Sequence, residues 1–414
     1  MDDLIALAIF VVTYAIIAIQ KIPRVHISRA AGALIGAVAM ALFGVLSPQE
    51  AYSAIDLDTI VFLLGMMILV AHLEIAGFFE LLELWILKRA KTQHQLLALV
   101  IASSGLLSPL FMNDTICLMF TPVLVRLVQR LKLDPVPYLL GLVLAANAGS
   151  MATLIGNPQN MLVGLRSGLS FVKFLLALGP AALLSLVIIY FAILLFFRKS
   201  LAGALLERPD LPEYHELAVQ RGLLSVSFGT LVLFLGLLVF GTPPQWAAIS
   251  CAALLLVLAS NRPRRALQHV DWTLLLLFAG LFVVMRGVEA TSWLDRLVSW
   301  AGPGVNASGI VSVLALVVLT VVVSNLVSNV PAVLLLAPIL VRVEAGSESW
   351  LVLAMASTLA GNLTIIGSAA NLIVLEIASQ RGVHISFWTY LKVGLPVTIA
   401  TIAISMVWLM VRPF

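Results

Sequence analysis

Two copies of one polar motif occur in this chain of 414 residues, and this internal repeat constrains the fold more than any other feature. SPLFMNDTICLMFTPVL, from Ser108 to Leu124, aligns with SNLVSNVPAVLLLAPIL, from Ser324 to Leu340, at an offset of 216 residues. Further matches flank this pair at offsets of 215 and 211 residues: Asp56, Gly65 and Glu74 with Asp271, Gly280 and Glu289, and Thr153, Gly156 and Asn160 with Thr364, Gly367 and Asn371. Repeated polar units broken by Gly and Pro are typical of secondary transporters, which bind substrate between their repeats.

The composition indicates a polytopic membrane protein. Apolar residues make up 62% and charged residues 11% of the chain, against about 45–50% and about 25% in a soluble domain. Apolar runs of about 20 residues, enough to cross a bilayer, predict spans at 4–20, 30–47, 57–76, 136–166, 171–197, 222–240, 245–260, 272–289, 349–380 and 386–411. The first run follows Asp2 and Asp3 and lacks a basic region before it, so we expect no cleaved signal peptide.

The distribution of Lys and Arg predicts the topology. The loops 48–56 and 241–246 contain neither residue. Basic residues cluster instead at 21–29, 88–91, 126–132, 198–221 and 262–265. Cytoplasmic loops carry the basic excess, so both termini are predicted to lie outside, in a bacterial inner membrane.

Segment 95–131 has basic residues on both flanks and must therefore enter and leave on the cytoplasmic side. It is predicted to be a re-entrant hairpin with its tip at Leu107 to Thr115. The equivalent segment 308–343 would enter from outside. Five spans separate corresponding points of the repeats, and because five is odd, the second repeat is inverted.

Two predicted helices are too long to cross the bilayer straight and carry polar breaks near their centres. They are 136–166, interrupted around Asn147 to Asn160, and 349–380, interrupted around Gly361 to Ser368. Gly and Pro end helices and leave backbone groups unpaired. We therefore expect two broken helices at the midplane, and short amphipathic interfacial helices at 78–90 and 291–302.

These patterns predict an all-α membrane protein with two inverted-topology repeats, about ten transmembrane helices, two re-entrant hairpins and two broken helices. The first repeat would cover residues 1–200 and the second 222–414, joined by a cytoplasmic linker at 201–221.

Asp114 is the strongest candidate for a functional residue, because it is the only carboxylate in the polar motifs expected at membrane depth. A charge near the bilayer centre costs at least about 2.5 kcal/mol, so such a residue is a functional-site hypothesis by default. Its counterpart in the second repeat is Val330. Asp114 is predicted to bind substrate and to carry the coupling proton; a protonated carboxyl that only hydrogen-bonds inside the hairpin tip is the alternative.

Amides and hydroxyls in the tips and breaks complete the predicted substrate site, because they both donate and accept hydrogen bonds. Some of them would instead cap the broken helix ends, or bond back to the backbone. The candidates are Asn113, Thr115, Asn157, Asn160, Ser328, Asn329, Asn362, Thr364, Ser368 and Asn371.

No pattern for an enzyme or a metal site accompanies these residues. The chain has no G-x-S-x-G motif, no second midplane Asp and no His cluster with metal-ligand spacing. Its two cysteines, Cys117 and Cys251, cannot supply three thiolates. We expect no catalytic residue, no metal, no cofactor and no nucleic-acid partner.

The motifs NDTxxxxxTP, NAGSxATLIGNPQN, SNxxSNVPAVxLLAP and GNLTxxGSxAN resemble the ion transporter superfamily, and most of all its ArsB/NhaD-type permeases. The resemblance covers nearly the whole chain and implies an ArsB-type exporter of arsenite or antimonite driven by proton entry. Neutral As(OH)₃ suits a pocket of amides and hydroxyls.

The first tip departs from the Ser-Asn-Thr triplet of dicarboxylate carriers in the superfamily, since it reads Met112-Asn113-Asp114. A fixed carboxylate beside an anionic substrate is unfavourable, which argues against a sodium-coupled dicarboxylate carrier. A Na⁺/H⁺ antiporter and an organic or inorganic anion permease remain open alternatives. The expected partners are the inorganic substrate, protons and lipid, with a soluble ATPase or a homodimer left open.

Overall fold

A computed structural model describes residues 2–19, 28–202, 219–259, 263–305 and 309–411. These parts of the chain contain helices and no β-strand, which confirms the predicted all-α class. The first ten helices are α1 (Asp2–Ile19), α2 (Arg29–Leu42), α3 (Pro48–Ala54), α4 (Leu57–Ile75), α5 (Phe78–Arg89), α6 (Gln93–Phe111), α7 (Asn113–Arg130), α8 (Pro135–Ser150), α9 (Pro158–Ser167) and α10 (Phe171–Phe196).

Ten further helices repeat this series. They are α11 (Arg221–Val239), α12 (Pro244–Leu258), α13 (Pro263–Gln268), α14 (Trp272–Glu289), α15 (Ser292–Val305), α16 (Ile310–Val327), α17 (Asn329–Arg342), α18 (Ser347–Ala360), α19 (Ala369–Gln380) and α20 (Phe387–Val411), with a 3₁₀-helix at Ile365–Gly367 before α19. Within the described ranges, α4, α6, α10, α11, α14, α16 and α20 are long and apolar enough to cross a membrane, and several shorter helices are apolar too.

Each helix of the first series corresponds to the helix ten numbers later, and the packing follows the same rule. Helix α2 packs on α14 while its counterpart α12 packs on α4. At these contacts a Cβ on Gly65 would lie 2.7 Å from the carbonyl carbon of Ala248, and a Cβ on Gly280 would lie 2.7 Å from that of Ala33. Only glycine permits this close helix approach, so the matched glycines fix the same contact in both repeats.

Two groups of helices result from this packing. The scaffold comprises α1–α4 and α11–α14, in which α1 packs on α2, α11 on α12, and each repeat exchanges contacts with the other. The hairpin unit comprises α6–α9 and α16–α19. Inside it, α7 packs on α19 and α17 packs on α9, so each hairpin leans on the broken helix of the opposite repeat.

The hairpin tips turn at equivalent positions. Met112 ends α6 with φ of 66° and Ser328 ends α16 with φ of 75°, and the two residues are 216 apart. A positive φ is strained for residues other than glycine and persists where the surroundings impose it. The strained turn lets α7 begin at Asn113 and α17 begin at Asn329, directly after the tips.

The breaks and the interfacial helices lie where the sequence predicts them. The first broken helix divides into α8 and α9, and the second into α18 and α19. Helices α5 and α15 correspond to the predicted interfacial segments. The short helices α3 and α13 were not predicted, and residues 203–218 of the predicted linker lie outside the described residues. The boundaries of the two repeats stay a prediction.

Candidate functional site

A small cavity of about 50 Å³ lies where four helices begin. Its wall includes the first residues of α7, α9, α17 and α19, which come from both hairpins and both broken helices. The backbone N–H groups in the first turn of a helix lack intrahelical partners and carry partial positive charge. The cavity therefore combines converging N-terminal ends with the polar side chains Asn113, Asp114, Ser328, Asn329 and Ser368.

A network of buried amides lies behind this cavity, and Asn147 is its centre. The Asn147 Nδ2 group donates to Oδ1 of Asn362 at 2.9 Å and to Oδ1 of Asn371 at 3.0 Å. The Asn147 Oδ1 atom accepts from Asn113 Nδ2 at 2.9 Å and from Ser368 Oγ at 3.3 Å. One side chain thus connects the first hairpin tip to the second helix break.

Asn160 and Asn371 close the two breaks in the same way. Asn160 Nδ2 donates to the carbonyl oxygens of Ser150 and Thr153, at 3.1 and 2.9 Å. Asn371 Nδ2 donates to those of Gly361 and Thr364, at 2.6 and 2.8 Å. These partners precede the asparagine by ten and seven residues in both repeats. Both side chains therefore satisfy carbonyl groups that the broken helices would otherwise leave unpaired.

The two repeats also exchange hydrogen bonds across these breaks. Asn147 of the first repeat donates to Asn371 of the second, while Thr358 of the second donates to Asn160 of the first at 3.1 Å. Asn147 and Thr358 are 211 residues apart, which is the offset of the repeat in this region. Asn157 completes the connection by donating to Ser150 and Thr358.

This network fixes the orientation of the Asn113 amide, because it is anchored on backbone carbonyls whose role as acceptors is unambiguous. The carbonyls of Gly361 and Thr364 require Nδ2 of Asn371, so Asn371 Oδ1 must face Asn147. Asn147 then presents its own Oδ1 to Asn113, which donates through Nδ2. The remaining Asn113 Oδ1 is buried and has no hydrogen-bond partner.

Asp114 lies beside this amide and faces the scaffold. The backbone N–H of Ala370, in the first turn of α19, and the guanidinium of Arg29, at the start of α2, are close enough to interact electrostatically with its carboxylate. Arg29 and Asp114 line the same cavity. Burial and the nearby Asp271 carboxylate oppose a charge on Asp114, whereas Arg29 and the Ala370 N–H favour it.

Two larger cavities share Arg29 and Ala369 with the small one. The first, of about 330 Å³, contains Asp114, Thr115, Glu74, His269 and Asp271 in its wall. Glu74 Oε2 lies 3.0 Å from Nδ1 of His269, which places an acid and a base in contact at this wall. The second, of about 570 Å³, is lined by α19, His384 and again Arg29. Arg29 therefore lines all three cavities.

The predicted site residues separate into two groups in the structure. Asn113, Asp114, Ser328, Asn329 and Ser368 meet at the small cavity, and Thr115 lines the adjoining one. The others, Asn157, Asn160, Asn362, Thr364 and Asn371, lie in the hydrogen-bond network around the two breaks. The second group supports the first, and the capping role considered for some asparagines is evident for Asn157, Asn160 and Asn371.

Sequence reasoning missed Asn147 and Arg29 as site residues. Asn147 stands out only as part of a break, because nothing in the sequence shows that its partners lie 215 and 224 residues away. Arg29 belongs to a basic cluster that predicts topology, and nothing in the sequence distinguishes it from the other residues of that cluster.

Comparison with known proteins fits this geometry. The citrate transporter family model, CitMHS, matches residues 14–360. This chain belongs to the CitMHS citrate transporter family. It is a secondary transporter and a multi-pass integral membrane protein, and its resemblance to the ion transporter superfamily is confirmed.

Individual relatives extend over almost the whole chain. The silicon efflux transporter LSI3 of Oryza sativa subsp. japonica is 31% identical, covering 96% of this chain and 95% of that protein. A Dictyostelium discoideum protein named as transporter arsB is 26% identical, covering 92% and 86% of the two chains. The crystal structure of the Alcanivorax borkumensis YdaH transporter has the same fold, with a TM-score of 0.62, 15% identity and coverage of 99% and 98%.

Proposed function

We propose that this transporter exports arsenite or antimonite as the neutral trihydroxide, in exchange for protons that enter the cell. The observation that carries the proposal is the Asn113 Oδ1 atom, a buried acceptor without a hydrogen-bond donor on a residue of the cavity wall. Leaving such an acceptor unsatisfied costs about 1–3 kcal/mol. A substrate that brings an O–H group into the cavity removes this cost.

A neutral metalloid hydroxide matches both kinds of polar group in the wall. Its hydroxyl protons can be donated to Asn113 Oδ1 and to the carboxylate of Asp114, and its oxygens can accept from N–H groups at the helix ends. An ionised carboxylate group offers no proton to donate to these acceptors. The proposed substrate-binding residues at the cavity are therefore Asn113, Asp114, Ser328, Asn329 and Ser368.

The volume of the cavity favours a solute of this size. About 50 Å³ holds a few groups the size of water, since a single water needs about 10–15 Å³ on the same measure. Arsenite and antimonite are of this order, whereas citrate is several times larger. Silicic acid is also a small neutral hydroxide, and the name of the rice relative makes it the next substrate to test.

An anion permease is the second candidate, favoured by the family match and by the four helix ends that converge with Arg29. The presence of Asp114 argues against an anion permease, because a carboxylate in the wall repels an anionic substrate. The Na⁺/H⁺ antiporter alternative rests on Asp114 and its neighbouring amides. In the part of the chain that the structure describes, no group of three His, Cys, Asp or Glu residues forms a metal site.

In the proposed cycle, Asp114 carries the coupling proton. The two sides of the membrane are assigned from the distribution of Lys and Arg. Both termini would face the outside of a bacterial inner membrane, and the two larger cavities would open to the cytoplasm, since Glu74, His269 and His384 lie at predicted cytoplasmic ends. A soluble ATPase or a second copy of the chain as partner stays a prediction.

Reconstituted vesicles with an acidic lumen test the proposal. Exchange of internal protons for external arsenite should concentrate arsenite in the lumen, and a protonophore should abolish this accumulation. Citrate accumulation, or lumenal alkalinisation that requires Na⁺ and no arsenite, would instead establish one of the two alternatives and overturn the arsenite assignment.

A further inference from the structure

The two charges at the small cavity lack counterparts in the second repeat. Asp114 corresponds to Val330, and Arg29, the first residue of α2, corresponds to Pro244, the first residue of α12. The surrounding glycine contacts, strained tips and asparagine bridges are all duplicated. The charge pair thus occurs in only one half of a pseudo-symmetric structure. A pair that served only to stabilise the fold would be expected in both halves.

Arg29 and Asp114 also belong to different groups of helices. Helix α2 packs on α14 and α1 in the scaffold, while α7 packs on α8 and α19 in the hairpin unit. Their attraction therefore acts across the boundary between the two groups. Any movement of the hairpin unit along the scaffold must separate the two charges.

The energetic consequence depends on the protonation of Asp114. Separating an ionised, partly buried pair leaves each charge without its partner, which is strongly unfavourable. Binding of a proton makes Asp114 neutral and removes most of the attraction. Other charged or titratable side chains also line these cavities. Glu74, His269 and Asp271 line the 330 Å³ cavity together with Asp114, and Glu376 and His384 line the 570 Å³ cavity together with Arg29.

We propose that Arg29 is a positioning residue that holds the hairpin unit against the scaffold through ionised Asp114, so that the unit moves only after Asp114 has bound a proton or substrate has replaced Arg29 at the carboxylate. The inference rests on the proposed exchange of substrate for protons. An empty, unprotonated transporter would then be unable to cross, which is the condition for obligatory exchange.

Arg29→Gln tests this role in transport. The variant should lose pH-driven accumulation far more than counterflow between equal substrate concentrations, because the empty transporter can now return without a proton. Arg29→Lys keeps a positive charge and should recover part of the accumulation. Arg286→Gln is the matched control, since Arg286 is also a scaffold arginine but pairs with Glu289 and lines none of the three cavities.

A distance measurement without substrate separates this inference from the proposed function. Spin labels would be placed at Arg265→Cys on scaffold helix α13 and Gln380→Cys at the end of α19, both exposed, with Cys117 and Cys251 replaced by Ala. The wild-type distance should be single at alkaline pH and acquire a second population in acid. Asp114→Asn should show both populations at every pH, and so should Arg29→Gln.

The outcomes are distinct. A wild-type distance that does not respond to pH, or an Arg29→Gln protein whose distance still responds as the wild type does, overturns the inference. If Arg29→Gln fails to fold, Asp114→Asn removes the same attraction from the other side, and a distance that still responds to pH in that variant overturns the inference. If the distances behave as expected but arsenite is not transported, Arg29 keeps its role and only the substrate assignment fails.

Discussion

The two hairpin tips share their backbone and differ in their charge. Both turn through a residue with positive φ, and both begin the next helix with asparagine. The residue after that asparagine is Asp114 in the first tip and Val330 in the second. The fold therefore uses the turn and the amide in both tips, whereas the carboxylate occurs in only one of them.

This difference separates the features that build the site from the features that couple transport to protons. The duplicated features, among them the bridges of Asn160 and Asn371, satisfy backbone groups that are buried whichever repeat they belong to. The charge pair of Arg29 and Asp114 satisfies no such requirement. We infer that pseudo-symmetry provides an alternating structure, and that the added pair makes its movement depend on protons.

The largest expected effect is that of Asp114→Asn. The amide keeps the shape and a hydrogen-bond acceptor but cannot bind and release a proton. Accumulation of arsenite driven by a pH gradient should disappear, while counterflow between equal concentrations should persist. Glu289→Gln removes a carboxylate near the end of α14, outside the three cavities, and should leave both measurements unchanged. Concentrative uptake by Asp114→Asn would move the coupling role to another carboxylate.

The next effect concerns Asn147 and its counterpart Thr358. Asn147→Ala removes a partner from four buried groups, whereas Thr358→Ala removes hydrogen bonds to Asn157 and Asn160. Each newly unsatisfied buried group costs about 1–3 kcal/mol. The free energy of unfolding in detergent should fall in both variants and more in Asn147→Ala. Equal losses of unfolding free energy in the two variants would show that Asn147 contributes no more to the network than its counterpart in the second repeat.

The glycine contacts provide a test in which the two repeats should agree. Gly65→Ala and Gly280→Ala each force a methyl group within 2.7 Å of a backbone carbon, and overpacking of this kind costs about 1–3 kcal/mol. Thermal unfolding should shift downward by similar amounts in both. Gly229→Ala is the control, because a Cβ there meets nothing within 4 Å and alanine is the better helix former. A large difference between the first two variants would contradict the matched packing.

How far the sequence predicts this molecule depends on the range of each interaction. The tips and breaks follow from local chemistry, since Gly, Pro and repeated Asn residues mark them directly. Helix α3 was missed although Ser47 and Glu50 have the spacing of a capping box, because its seven residues show no apolar periodicity. Arg29 could not be distinguished from other basic loop residues, since only the fold brings it to the cavity that Asp114 lines.

The smallest expected effect concerns a carboxylate outside both tips, whose titration should affect only the stability of its own short helix. Glu50 on α3 receives hydrogen bonds from the backbone N–H and the hydroxyl of Ser47, at 2.8 and 2.7 Å. These bonds lower the pKa of the Glu50 carboxyl below its ordinary value. The stabilisation of α3 is therefore complete above the unfolded-state pKa and is lost as the pH falls through the lower, folded-state value.

Hydrogen exchange measures this loss locally. The protection factor of the Ala51 amide, which bonds to the Ser47 carbonyl at 3.0 Å, should decrease in acid in the wild type and be low at every pH in Ser47→Ala. The start of α6 is the control, because its cap contains no carboxylate: the Gln95 N–H donates to Thr92 Oγ1 at 3.2 Å, and Gln95 Oε1 accepts from the Lys91 N–H at 2.9 Å. Its protection should not change with pH. If Ala51 and the α6 amides lose protection together, the acid response reflects the whole protein, and the Glu50 cap has no separate role.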